Sequence, residues 1–227
     1  MRARLPCLVG FLSLLTSAAT MLSSCNPMEK KAEPVRKWDL LAADQLVHWK
    51  SADMPDAGKA EVRDGEAVME PGGPISGLRY DNWQAGHFPV GDYTISYEAM
   101  RVDGGDFFAS ITFPVRSVET CATLIVGGWG GGLVGISSID GEDASNNSTR
   151  SAQKFENGKW YRFKLEVRDD ELKVWIDDRI VINTSIKNRV IDLRPGYIEK
   201  CAPFGLATYQ STGRVRGLVV EAVPPRN

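Results

Sequence analysis

The chain has 227 residues, with 27 Lys and Arg against 29 Asp and Glu and a net charge of −2. At 43% hydrophobic and 25% charged it has a globular composition, which excludes a disordered chain and a nucleic-acid binder that works through a basic surface. Its two His, His48 and His87, cannot build a three-His zinc site, and 22 Gly with 12 Pro point to many turns and few long helices.

Residues 1–24 read as a secretory leader. Arg2 and Arg4 precede an uncharged apolar stretch from Leu5 to Leu22, and the small-residue exit Leu22-Ser23-Ser24-Cys25 resembles a bacterial lipobox, whose cleavage leaves Cys25 as the lipidated first residue. The alternative is an uncleaved membrane-spanning anchor. Either one puts the remaining chain outside the cytoplasm, held at a membrane by its N-terminus. Residues 25–37 are polar, contain Pro and lack an apolar period, the marks of a tether. The folded domain is expected over residues 38–223.

Within it, Asp39 to Trp49 reads as a short helix or an irregular first strand. From Glu61 onward the pattern is β. Asp64-Gly65 between two short runs is a hairpin signal. Tyr93, Ile95, Tyr97 and Ala99 alternate with polar neighbours at the two-residue period of a half-buried strand. Further strands are expected over Phe107–Val115, Thr120–Val126 and Leu133–Ser138. The clearest lies between Trp160 and Val167, where Tyr161, Phe163, Leu165 and Val167 face one way and Trp160, Arg162, Lys164 and Glu166 the other. Turns at Asp169-Asp170 and Asp177-Asp178 frame Leu172–Ile176 and Ile180–Ile182, and the last strands cover Phe204–Tyr209 and Val215–Val223. About a dozen strands joined by short turns predict an antiparallel two-sheet sandwich or a barrel, all-β in class. With Cys7 in the leader and Cys25 at the lipobox, Cys121 and Cys201 remain. They form either one disulfide or two buried thiols.

The run Gly158-Lys-Trp-Tyr-Arg-Phe-Lys-Leu-Glu-Val, its turn, and Leu172-Lys-Val-Trp-Ile-Asp-Asp resemble the late hairpin of concanavalin-A-like jelly rolls. With Val62-Arg-Asp-Gly-Glu-Ala-Val, Gly91-Asp-Tyr-Thr-Ile-Ser-Tyr-Glu, Pro203-Phe-Gly-Leu-Ala and the final Arg214–Val223 run, the chain is similar to the 3-keto-disaccharide hydrolase domain family over about residues 38–223. The resemblance implies a jelly roll, a carbohydrate ligand and a glycosidase activity. Two features of many family members are missing. Gly105–Pro114 lacks their Asn and Arg, and Leu206–Gly213 lacks their Asp-His.

The densest polar cluster is Asp140, Glu142, Asp143, Ser145, Asn146 and Asn147 in a Gly-containing loop. Such groups accept sugar hydroxyls, or ligate Ca²⁺ through oxygen, although the spacing is not that of an EF-hand loop. They also form ordinary solvated turns. No cofactor is expected. A keto sugar acidifies its neighbouring C–H, so one general base and a polar group holding the enolate oxygen would suffice for cleavage by elimination. Glu142, Asp140, Asp143 and Glu98 are the candidate bases, in that order; the simpler reading of Glu98, on a polar strand face, is an exposed surface charge. Trp129, between Gly128 and Gly130, is the candidate sugar-stacking platform or else a core indole, and Asn146 is the candidate hydroxyl partner. The functional expectation is an extracytoplasmic glycosidase acting on 3-keto-disaccharides or related sugars. The alternatives are a lectin-like module that binds without turnover and a purely structural domain.

Overall fold

The computed structural model describes residues 35–73, 75–84 and 86–225; the leader, Cys25 and most of the tether lie outside them. The strands in chain order are β1 (Lys37–Asp39), β2 (Trp49–Ser51), β3 (Ala60–Arg63), β4 (Glu66–Met69), β5 (Ile75–Tyr80), β6 (Tyr93–Gly104), β7 (Ser110–Val115) and β8 (Ser117–Gly127). They continue as β9 (Leu133–Ser137), β10 (Ser151–Ala152), β11 (Trp160–Val167), β12 (Glu171–Ile176), β13 (Arg179–Ser185), β14 (Gly205–Tyr209) and β15 (Ser211–Ala222). One sheet runs β13-β12-β11-β6-β15-β4-β3, with β1 also paired to β15; the other runs β10-β9-β8-β7-β14-β5-β2. Every pairing is antiparallel. This is the jelly-roll sandwich that the strand spacing and the resemblance led one to expect.

Local chemistry makes the hairpins. Asp64 and Gly65 have φ of 52° and 75°, and Asp177 and Asp178 have φ of 47° and 68°, so both two-residue loops take the left-handed turn that matches the twist of paired strands. On β11, Tyr161, Phe163, Leu165 and Val167 are buried while Arg162 and Lys164 are exposed. The same period on β12 buries Leu172, Val174 and Ile176. At one end of the core Trp83 is stacked between Phe88 and Phe204, with centroids 4.7 and 4.5 Å away. The buried Tyr93 hydroxyl of the first sheet donates to Pro114 O of the second at 2.6 Å, joining the layers.

Several expectations change. Asp39–Trp49 is neither one helix nor one strand: β1 ends at Asp39, a 3-10 turn covers Leu46–His48, and β2 starts at Trp49. Strand β7 starts at Ser110, because Gly105–Ala109 bends. Strand β5 carries no simple hydrophobic alternation. Leu78 and Tyr80 face the core, while Gly77 and Arg79 alternate with them; a Cβ at Gly77 would lie 2.9 Å from Leu206 O and 3.0 Å from Cys201 Sγ, so close packing, not hydrophobicity, selects that residue. Of the two options for the cysteines, the structure has free, buried thiols. Cys121 turns its Sγ to Val118 O and Pro203 O, whereas Cys201 turns to Leu206 O. Burial pushes each thiol up to about 12.

Candidate functional site

The outer face of the second sheet presents Thr123 and Ile125 of β8, Leu133, Gly135 and Ser137 of β9, Ala207 and Tyr209 of β14, and Ile75 of β5. Two long segments cover parts of it. In residues 138–149, Ala144 packs on Ile125 and Leu133. In residues 186–202, Ile198 and Cys201 pack against Ala207, Met54 and Ile75. The two segments are stitched together: Ser138 N donates to Asp192 O at 2.7 Å and Asp140 N to Val190 O at 2.8 Å. A cavity of about 500 Å³ remains on this face, lined by Thr123, Ile125 and Ser137, by Arg194–Ile198, by Ile75 and Tyr209, and by Asp106, Phe107 and Trp129. That is the size of a small-molecule site.

Trp129 stands at its edge, 47% exposed. The indole follows β8 in a glycine-rich turn, Gly128–Gly131, and adopts φ 50° and ψ 55°. A bulky side chain in this left-handed region is an outlier, and such strain persists only where the surroundings impose it. Here Asp106 imposes it. Its Oδ2 accepts from Gly130 N at 2.8 Å and its Oδ1 from Phe107 N at 2.8 Å. The Asp106 backbone is itself clamped, its N donating to Ser211 Oγ and its O accepting from the same hydroxyl, both at 3.0 Å. Arg101, buried, adds a bond from NH1 to Asp106 O and is held by Asn157 Oδ1 at 2.6 Å and Phe155 O at 2.8 Å. Phe107 and Tyr209 stack at 5.7 Å beside it.

The candidate residues fall in different places. Trp129 lines the cavity. Asp143 reaches its wall: Oδ1 accepts from Ser137 Oγ at 3.0 Å and Oδ2 pairs with Arg194 at 3.2 Å, and both partners are lining residues. Asp140 turns the other way, accepting from Val190 N at 2.8 Å and pairing with Arg189. The Val190 amide and the Arg189 guanidinium hold its carboxyl below the ordinary aspartate value. Glu142 and Asn146 are exposed on the loop and do not line the cavity. Glu98 lies on the outer face of the opposite sheet, where its carboxylate accepts from Arg216 Nε at 2.6 Å. It is a surface charge, and it cannot act with Trp129. The loop's polar density serves the loop: buried Asn147 donates to Ile136 O and Glu142 O and accepts from Thr149 N. Its carboxylates diverge, and among the described residues no group of three or more His, Cys, Asp or Glu is placed to hold a metal ion. Asp106, Phe107, Arg194, Tyr197 and Tyr209 escaped sequence reasoning, because each sits in a loop, in a short 3-10 turn or at a strand end with no periodicity to mark it.

No family model and no curated protein matches this chain. Solved structures do match. The Crh5 transglycosylase in complex with NAG aligns at 13% identity over 86% of each chain, with a TM-score of 0.54. The chain is a jelly roll. Domain 4 of the extracellular arabinanase AbnA from Geobacillus stearothermophilus, in complex with arabinotriose, aligns at 14% identity over 84% of this chain and 94% of its own, with a TM-score of 0.52. A structure described as a native glycosidic hydrolase aligns at 8% identity over 84% and 97%, also with a TM-score of 0.52. At these identities the likeness is one of fold.

Proposed function

We propose that this jelly roll is a carbohydrate-binding domain whose saccharide lies in the cavity beside Trp129. The observation that carries the reading is the half-exposed indole, held in a costly backbone conformation at the edge of a pocket that Tyr197, Tyr209 and Phe107 also line. Sugar rings present C–H faces that stack on such surfaces. The sugar-bound neighbours of the same fold support the same ligand class. Titration calorimetry against a glycan panel tests it: wild type binds, Trp129→Ala loses at least about tenfold in affinity, and absence of any glycan binding by wild type refutes it.

A second reading, cleavage of 3-keto-disaccharides, draws on one contact. Asp143 is the carboxylate against two cavity-lining residues, with Arg194 beside it. Asp143 would remove the proton next to the keto group while the Arg194 guanidinium stabilises the enolate oxygen. The enolate would then form a C=C bond and expel the glycosidic oxygen, which takes a proton from water or from Asp143 and leaves as an alcohol beside an unsaturated keto sugar. Incubation with a 3-keto-glycoside separates the readings. Sugar release by wild type that Asp143→Asn abolishes supports catalysis, whereas binding without turnover leaves a lectin-like module. We also propose that cleavage before Cys25 and its lipidation anchor the domain outside the cytoplasm on a bacterial membrane. The mass of the mature N-terminus tests this, because an unmodified Met1 start overturns it.

A further inference from the structure

The cavity has a dry floor and a wet rim. Thr123, Ser137, Ile125 and Ile198 are each no more than 8% exposed, whereas Trp129 is 47% and Tyr197 39% exposed. The floor's polar groups are already engaged: Thr123 Oγ1 bonds Thr112 Oγ1 at 3.0 Å and Ser137 Oγ donates to Asp143. Asp106 is only half-buried, and its carboxylate oxygens, each accepting one backbone N–H, keep acceptor capacity for ring hydroxyls that stay near solvent. A sugar hydroxyl pressed onto this floor would lose its water without a committed partner in exchange. A methyl group there would meet Ile125, Ile198 and the Phe107 ring. At the rim the balance reverses. The hydroxyls of Tyr197 and Tyr209 have no hydrogen-bond partner among the described residues, and Arg194, its side chain 60% exposed, meets Asp143 through NH1. That pairing offsets the guanidinium charge, and with Asp106 close by the cavity does not favour an anion.

Building on the carbohydrate reading, we infer that the preferred ligand is a neutral saccharide with an apolar substituent, a 6-deoxy methyl or an acetyl group. The substituent enters the floor and the ring hydroxyls stay at the rim. The substituent is what the site selects for, and acidic sugars are rejected.

Calorimetry with matched methyl hexosides of the gluco, galacto and manno series tests this, each as parent, 6-deoxy, O-acetyl and uronate forms. The expected result is that a 6-deoxy or acetylated glycoside binds about tenfold or more tighter than its parent, that the uronate binds weakest, and that raising the salt leaves the affinities unchanged. Ile125→Thr keeps the β-branched shape and should bring the substituted and parent affinities together, whereas Trp129→Ala should weaken all of them alike. Parent glycosides that bind as tightly as the substituted ones, or a uronate that binds best, overturn the inference and leave the carbohydrate reading standing. If no glycoside of any form binds, the carbohydrate reading falls with it.

Discussion

Trp129 carries a conformational cost that glycine would not. At φ 50° an L side chain is strained by about 1–2 kcal/mol, while replacement by Gly adds a comparable entropy cost in the unfolded chain. Trp129→Gly is therefore expected to keep thermal stability within about 1 kcal/mol of wild type while losing glycan binding. Denaturant melts beside calorimetry check this, and a large drop in stability would mean that the indole is packed for the fold. Cys121 and Cys201 show burial in another way. With both thiols pushed up to about 12, almost no thiolate exists near neutral pH. Alkylation at pH 8 followed by peptide mapping should leave both unlabelled in the native protein and label both after denaturation.

At the scale of elements, the face that carries the cavity depends on how two covering segments and one close strand crossing are held. Asp140 ties residues 186–202 down by accepting from Val190 N and pairing with Arg189, and its carboxyl lies below the ordinary value of 3.8. A depressed carboxylate contributes stability that is present above its unfolded value and lost as pH falls through its lower folded one. Asp140→Asn should therefore melt below wild type at neutral pH, with the gap closing only below pH 3.8. Melting curves across that range check the sign. Gly213 on β15 faces the segment that leads to Asp106. A Cβ there would sit 1.8 Å from Phe108 O, a clash with backbone that no rotamer relieves. Gly213→Ala is expected to cost about 3 kcal/mol or more, measured by chemical denaturation.

For the whole molecule, the aromatic stack at one end of the core is the sharpest stability test. Trp83 lies between Phe88 and Phe204 and is almost fully buried, yet its indole N–H has no hydrogen-bond partner among the described residues. Truncation to Ala removes the whole ring and should cost about 3–5 kcal/mol. Trp83→Phe keeps a stacked ring and removes an unsatisfied donor, so it should cost much less than its lost volume suggests. Equilibrium unfolding of both variants checks the ordering. Much of this architecture was legible beforehand, since alternation at Tyr161–Val167 and left-handed turns at Asp64-Gly65 and Asp177-Asp178 are properties of a few adjacent residues. Strand period and turn chemistry therefore specified β class and hairpins without reference to the remainder of the chain. Long-range pairing decided the rest. Glu98, a candidate base, lies on β6 and Trp129, the candidate platform, follows β8; the two strands belong to different sheets, and their outer faces point to opposite sides. Asp140 and Asp143, three residues apart, meet different points of residues 186–202, Arg189 and Val190 for one and Arg194 for the other. Gly77 makes sense only beside Cys201 and Leu206. The cavity gathers side chains from β5, β8, β9 and β14, from the covering segment 186–202, from the bend before β7 and from the turn after β8. No spacing along the chain encodes such a set, because a sheet face is assembled from strands distant in sequence.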